Sequence, residues 1–267
     1  MNTFAPARII RLAAAVLVVV VAAAVSASAG RAAGAVYAAL GDSYSSGVGT
    51  GSYTLDSACK RSVYAYPYLW AQQHPGTSLS FVACSGAKTS DLLSRQLSAV
   101  TPTTTLVTMT IGGNDIGFAN LIYQCTLSDC SAALDSTKAN LTNTLVPAVD
   151  NVFNAVKSHA ALGAKIIVLG YPHVFQNTSC FGDLGISSTE QSKANSLADA
   201  LDTLLSQRAQ LDGVTYQSAI GKFTGHAVCS SSAWLNGLNL FNTGESYHPN
   251  KSGHSSGYLS LLTGLTG

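Results

Sequence analysis

The stretch AVYAALGDSYSSG, Ala35 to Gly47, decides how the rest of the chain is read. Six apolar residues run directly into Gly41-Asp42-Ser43, and small polar residues follow. A short apolar run that ends in a glycine-containing polar turn is the pattern of a buried strand and the loop behind it. Taken alone, Gly-Asp-Ser is a common turn. Ser43 becomes more than a turn residue only if other segments bring suitable chemistry beside it.

Four more apolar or β-branched runs lie downstream, at 79–83, 105–111, 165–169 and 214–217. Each has the length of a buried strand. Helix-like stretches occur at 64–74, 90–97, 132–159 and 188–211, with a last one at 252–262. Ser90-Asp91 supplies good residues for a helix start. Strands alternating with helices predict an α/β fold with a five-stranded, mainly parallel sheet covered on both faces. Such sheets bind ligands outside the carboxyl ends of their strands, so function is expected in the loops that follow strands.

The ends of the chain bound its class. Arg8 and Arg11 precede an uninterrupted apolar run from Leu12 to Val25, followed by Ala27-Ser28-Ala29. This is the pattern of a secretory signal peptide over 1–33, cleaved near Ala29 or Ala33. The apolar run is shorter than the roughly 20 residues that span a bilayer. Its removal leaves 34–267 as a single domain and takes away three arginines and no acid, so that 14 basic residues become 11 against 13 acidic ones. No basic stripe remains to hold nucleic acid. Only 10% of residues are charged, which suits a secreted hydrolase.

The six cysteines, Cys59, Cys84, Cys125, Cys130, Cys180 and Cys229, are even in number, and in an exported chain they favour disulfides. Fifteen pairings are open. Pairing of neighbours is the simplest: Cys59–Cys84, Cys125–Cys130 and Cys180–Cys229. A zinc site lacks support, because the cysteines show neither C-x-x-C nor clustered Cys/His spacing.

Three predicted strands end in unusual loops: Gly41-Asp42-Ser43, then Cys84-Ser85-Gly86-Ala87, then Gly112-Gly113-Asn114-Asp115. Near the C-terminus stands Glu245-Ser246-Tyr247-His248-Pro249. Each is unremarkable alone; together a serine, a glycine amide, an asparagine amide and a histidine supply a nucleophile, two neutral donors and a base. In these residues and their order the chain resembles the SGNH (GDSL) hydrolases, whose four blocks carry Ser, Gly, Asn and His. The resemblance runs from Leu40 to the C-terminal helix, and it is weakest at the second block, where one glycine is the whole signal. With six cysteines and an export signal, the chain looks like the secreted bacterial lipases and A-type phospholipases of that family.

The resemblance implies a three-layer α/β/α sandwich of flavodoxin-like type. It also implies a serine carboxylic-ester hydrolase in which Ser43 is the nucleophile and His248 the base, with Ser43, Gly86 and Asn114 forming the oxyanion hole. The substrate would be a lipid acyl ester, either a phospholipid sn-1 ester or an acylglycerol. No metal or cofactor is called for, nothing demands more than a monomer, and contact with lipid aggregates is open. The family usually has Asp three residues before the histidine, where this chain has Glu245. Either the Glu245 carboxylate or the backbone carbonyl of Ser246 therefore orients His248, with the carbonyl preferred. A glycan O-acetyl esterase is the alternative activity, and a non-catalytic secreted binding protein a more distant one.

Several residues carry bland readings. His254 reads as a helix-face residue, and Gly47-Val48-Gly49-Thr50-Gly51 as a flexible surface loop, since it lacks G-K-[ST]. Asp42 and Asp115 are expected to fix the turns that present Ser43 and Asn114. Two apolar stretches, 64–70 and 116–118, serve equally as cleft lining or as core.

Overall fold

In the computed structural model, residues 1–2, 34–176 and 178–267 are described. The expected leader over 1–33 lies outside the described residues save its first two. The remainder, Ala33–Gly267, is one unit. Among the described residues no helix is long and apolar enough to cross a membrane.

Five strands form the sheet: β1 (Val36–Ala39), β2 (Ser78–Phe81), β3 (Leu106–Met109), β4 (Lys165–Leu169) and β5 (Thr215–Gln217). Their spatial order is β2-β1-β3-β4-β5, and every neighbouring pair is parallel. The sheet is thus wholly rather than mainly parallel. The central β3 is fully buried along its length, whereas the edge strand β2 alternates between exposed and half-buried residues.

The helices are α1 (Ser43–Ser46), α2 (Tyr66–Gln73), α3 (Thr89–Asp91), α4 (Phe118–Cys125), α5 (Ser131–His159), α6 (Ser188–Asp212), α7 (Ile220–Phe223) and α8 (Leu259–Thr266). Right-handed crossovers explain the layers. The connection from β1 to β2 through α2 runs one way along the sheet, and those through α5 and α6 run the other, so the helices fall on opposite faces. Helices α5 and α6 pack against each other, as do α2 and α8. The strand order reverses between β1 and β3, and there a crevice opens at the carboxyl ends of the strands.

The turn after β1 is built for that crevice. Gly41 has φ +116°, and a Cβ there would lie 2.5 Å from the Thr110 carbonyl oxygen, so a side chain is excluded both by conformation and by β3. Its peptide groups are clamped by one buried side chain. The Gly41 N–H donates to Gln96 Oε1 at 2.7 Å, and Gln96 Nε2 donates to the Gly41 carbonyl at 2.9 Å. Disulfides Cys59–Cys84, Cys125–Cys130 and Cys180–Cys229 tie loops to this frame. Cys125–Cys130 joins the end of α4 to the start of α5.

Gln96→Ala would leave the buried Gly41 N–H unpaired, whereas the Gly41 carbonyl keeps its bond from the Cys84 N–H at 3.0 Å. Unfolding in urea at pH 7, disulfides intact, should show a stability loss of about 1–3 kcal/mol.

Candidate active site

Asp42 caps α1. Its carboxylate accepts from the Tyr44 N–H at 3.0 Å, so that the first residue of the helix is Ser43, held at the mouth of the crevice. The Ser43 hydroxyl meets His248 Nε2 at 2.8 Å. The other ring nitrogen, Nδ1, lies 2.8 Å from the Ser246 carbonyl oxygen. A carbonyl can only accept, so Nδ1 carries the proton and Nε2 presents its lone pair to Ser43.

The Glu245 side chain lies elsewhere: it accepts from the Tyr53 hydroxyl. Of the two alternatives for a His248 partner, the backbone carbonyl occupies the position. The chain reaches this arrangement through Tyr247, which has φ +62° and whose carbonyl accepts from Tyr44 OH at 2.7 Å. Asn236 braces the same loop from behind. Its N–H donates to the His248 carbonyl at 2.9 Å, and its amide donates to the Gly49 carbonyl at 2.8 Å.

That second bond belongs to a stretch expected to be a flexible surface loop. Gly47 to Thr50 are instead buried, and only Gly51 is exposed. A Cβ on Gly49 would sit 3.0 Å from the His248 Cβ and 2.5 Å from the Pro249 carbonyl oxygen, so this glycine lets the chain back the histidine closely. The glycines reflect close packing, which composition alone could not separate from looseness.

Asn114 and Gly86 face Ser43 across a cavity of about 370 Å³. The Asn114 amide donates one hydrogen bond to the Ala87 carbonyl at 3.0 Å, joining the second loop to the third. Asp115 strengthens that junction by accepting from the N–H and hydroxyl of Thr89. Neither the Ser43 nor the Gly86 N–H has a protein acceptor among the described residues.

The cavity walls are largely apolar: Phe118, Ile122 and Tyr123 from α4, and Ala198 and Leu201 from α6. Of the two apolar stretches left open, 116–118 contributes Phe118 here. Ala65, Tyr66 and Trp70 of the other go into the core. Helix α4 was not anticipated; its glycine-opened start directly behind Asn114-Asp115 reads as more turn. Likewise the contribution of α6 follows from tertiary packing, not from any local pattern.

Burial is the main influence on His248: it lowers the pKa from 6.5 to about 4, against the Ser246 bond and with a smaller push from Lys60. His254 lies on a helical turn, Gly253–Tyr258, as expected, and is wholly buried, its ring beside those of Tyr66 and Tyr258 and its Nδ1 accepting from the Tyr66 N–H at 3.4 Å. It does not touch the Ser43–His248 pair. Burial also pushes Asp42 up to about 6, against bonds from Thr110, Tyr171 and Tyr44.

A hydroxyl bonded to a neutral, oriented imidazole, with two unpaired N–H groups and an amide across an apolar cavity, is the arrangement of a serine hydrolase. The chain belongs to the GDSL-like lipase/acylhydrolase family, which matches residues 39–255. It is 46% identical over 233 residues to Lipase 1 of Streptomyces coelicolor, covering 85% of each chain. The crystal structure of an extracellular lipase from Streptomyces rimosus is similar, with a TM-score of 0.82 and 41% identity, covering 86% of this chain and 99% of that one. A phospholipase A1 from Streptomyces albidoflavus is equally alike, with a TM-score of 0.82 and 40% identity over 87% of this chain and 99% of its own.

The desolvated ring makes a direct prediction. In a pH titration followed by NMR, the His248 imidazole should protonate with a midpoint near 4, far below the 6.5 of an exposed histidine.

Proposed function

We propose that the chain is a secreted carboxylic-ester hydrolase that cleaves lipid acyl esters through an acyl-enzyme on Ser43. The observation that carries this reading is the Ser43–His248–Ser246 alignment, with 2.8 Å at both junctions, at the wall of an apolar cavity. The site chemistry follows from the groups present. His248 Nε2 takes the Ser43 proton as Oγ attacks the ester carbonyl carbon. The carbonyl oxygen gains the negative charge, and the N–H groups of Ser43 and Gly86 and the amide of Asn114 point donors at it. As the intermediate collapses, the imidazolium returns the proton to the leaving alcohol. A water, deprotonated by His248, then releases the fatty acid and restores Ser43.

Export rests on the leader pattern over 1–33 and on the extracellular relative from Streptomyces rimosus. The active protein is then residues 34–267, and nothing in its site calls for a second copy. Leu240 and Phe241 are exposed just ahead of Thr243, which borders the cavity, and they offer apolar contact with a lipid aggregate. The cavity walls suit an acyl chain better than an acetylated sugar. The phospholipase A1 relative favours the phospholipid sn-1 ester as a substrate, and the two lipases favour acylglycerols.

The deciding experiment is fatty-acid release from phosphatidylcholine and from triacylglycerol in matched mixed micelles, with Ser43→Ala as the blank. Ser43-dependent release from either lipid is the expected result. Release from neither, with activity on acetylated glycans, would replace this reading. In the same assay Asn114→Ala should lower kcat by about 10²–10³. Glu245→Ala should lower it less than tenfold, because its carboxylate serves Tyr53; a loss of about 10³–10⁴, typical of a missing triad acid, would make Glu245 the orienting group.

A further inference from the structure

Tyr171 follows β4 and comes from none of the four motif blocks, yet it borders the cavity and is 9% exposed. Its hydroxyl touches two of those blocks at once. It donates to Asp42 Oδ2, next to Ser43. It accepts from the Gly113 N–H at 3.2 Å, next to Asn114. The direction is fixed by chemistry. An ionised carboxylate can only accept, so the phenol hydrogen points at Asp42 and leaves its lone pairs for the Gly113 N–H. The carboxylate thereby polarises the phenol oxygen and strengthens its hold on Gly113.

The ring is held as firmly as the hydroxyl. It packs edge-on to Tyr44, with centroids 5.2 Å apart, and a Cβ on Gly113 would approach it to 3.2 Å. Asp42 has other ties to β3: its N–H donates to the Thr110 carbonyl at 3.0 Å, and it accepts from Thr110 Oγ1 at 2.6 Å. Those bonds stop at the end of the strand. Among the described residues, the Gly113 N–H has Tyr171 as its acceptor, one residue short of Asn114.

We infer that Tyr171 is a positioning residue: its hydroxyl sets the Asn114 turn against the Ser43 turn, so that donors from both meet one oxygen. This rests on the proposed role of Asn114 as an oxyanion donor. The hydroxyl itself touches no reacting atom. Its absence would let the Asn114 amide drift by fractions of an ångström, which matters for a charge that exists only in the transition state and little for ground-state binding.

The test is a double-mutant cycle on a soluble ester, with kcat expressed per site that reacts to completion with an active-site phosphonate. Tyr171→Phe should lower kcat by about tenfold to a hundredfold, with KM changed by less than about twofold. In an Asn114→Ala background the same substitution should change kcat by less than about twofold, because the group it positions is gone. A purely structural role would instead reduce the number of reactive sites and leave kcat per site unchanged, and that overturns the inference. Losses that multiply, with Asn114→Ala itself impaired, also overturn it and leave the proposed function standing. An Asn114→Ala enzyme with full kcat would overturn the oxyanion reading and this inference together. Should Tyr171→Phe fold poorly, Gly113→Ala keeps the hydroxyl but pushes on the ring, and its kcat loss should vanish in the Asn114→Ala background in the same way.

Discussion

The structure depends on a carboxylate that is buried with no cation paired to it among the described residues. Asp42 is 1% exposed, and its bonds come from Tyr44 N–H, the Thr110 hydroxyl and the Tyr171 hydroxyl. Burial raises its pKa from 3.8 to about 6. A raised folded pKa means that the folded protein gives up stability as pH rises through this window, in exchange for an ionised group at neutral pH. That charge is what three separate elements converge on: the first turn of α1, the end of β3 and the loop after β4. An aspartate at this point is therefore a structural hub beside the nucleophile, and a neutral residue of the same shape would have to reverse at least one of those bonds.

Much of this was legible in the sequence, for identifiable reasons. The strands β1, β3 and β4 were legible because buried parallel strands are continuous apolar runs, the edge strands β2 and β5 through short apolar or β-branched runs that extend beyond their paired residues, and the long helices because their spans exceed any loop. That Ser43, Gly86, Asn114 and His248 would line one cavity was legible because each sits in a loop directly behind a strand, or in a distinctive late motif, and the family resemblance fixed their order. What the sequence hid was long-range. Gln96, Asn236 and Tyr171 act across 55, 12 and 129 residues on Gly41, His248 and Asp42, and no local pattern marks them. The buried run from Gly47 to Thr50 hid its packing for the same reason: Gly49 is required by His248 and Pro249, which arrive two hundred residues later, and Gly47 by Ser62 and Ala65.

The choice of a backbone carbonyl to orient the histidine has consequences of its own. A carboxylate partner would stabilise the imidazolium by direct charge attraction and raise the pKa of the base. The Ser246 carbonyl supplies only a dipole, so burial prevails and the ring stays neutral well into acid. The tautomer is fixed equally well by either acceptor. In the proposed mechanism the difference falls on the transition state, where the imidazolium must form with less help, and the burden shifts to the donors facing the oxyanion. Geometry across the crevice then matters more than it would in a site with a charged third member. The ties around it fit that demand: the Asn114–Ala87 bond and the Asp115–Thr89 pair join the second loop to the third, the Tyr171 bridge joins the Asn114 turn to the Ser43 turn, and all three fix loops that carry the proposed oxyanion donors.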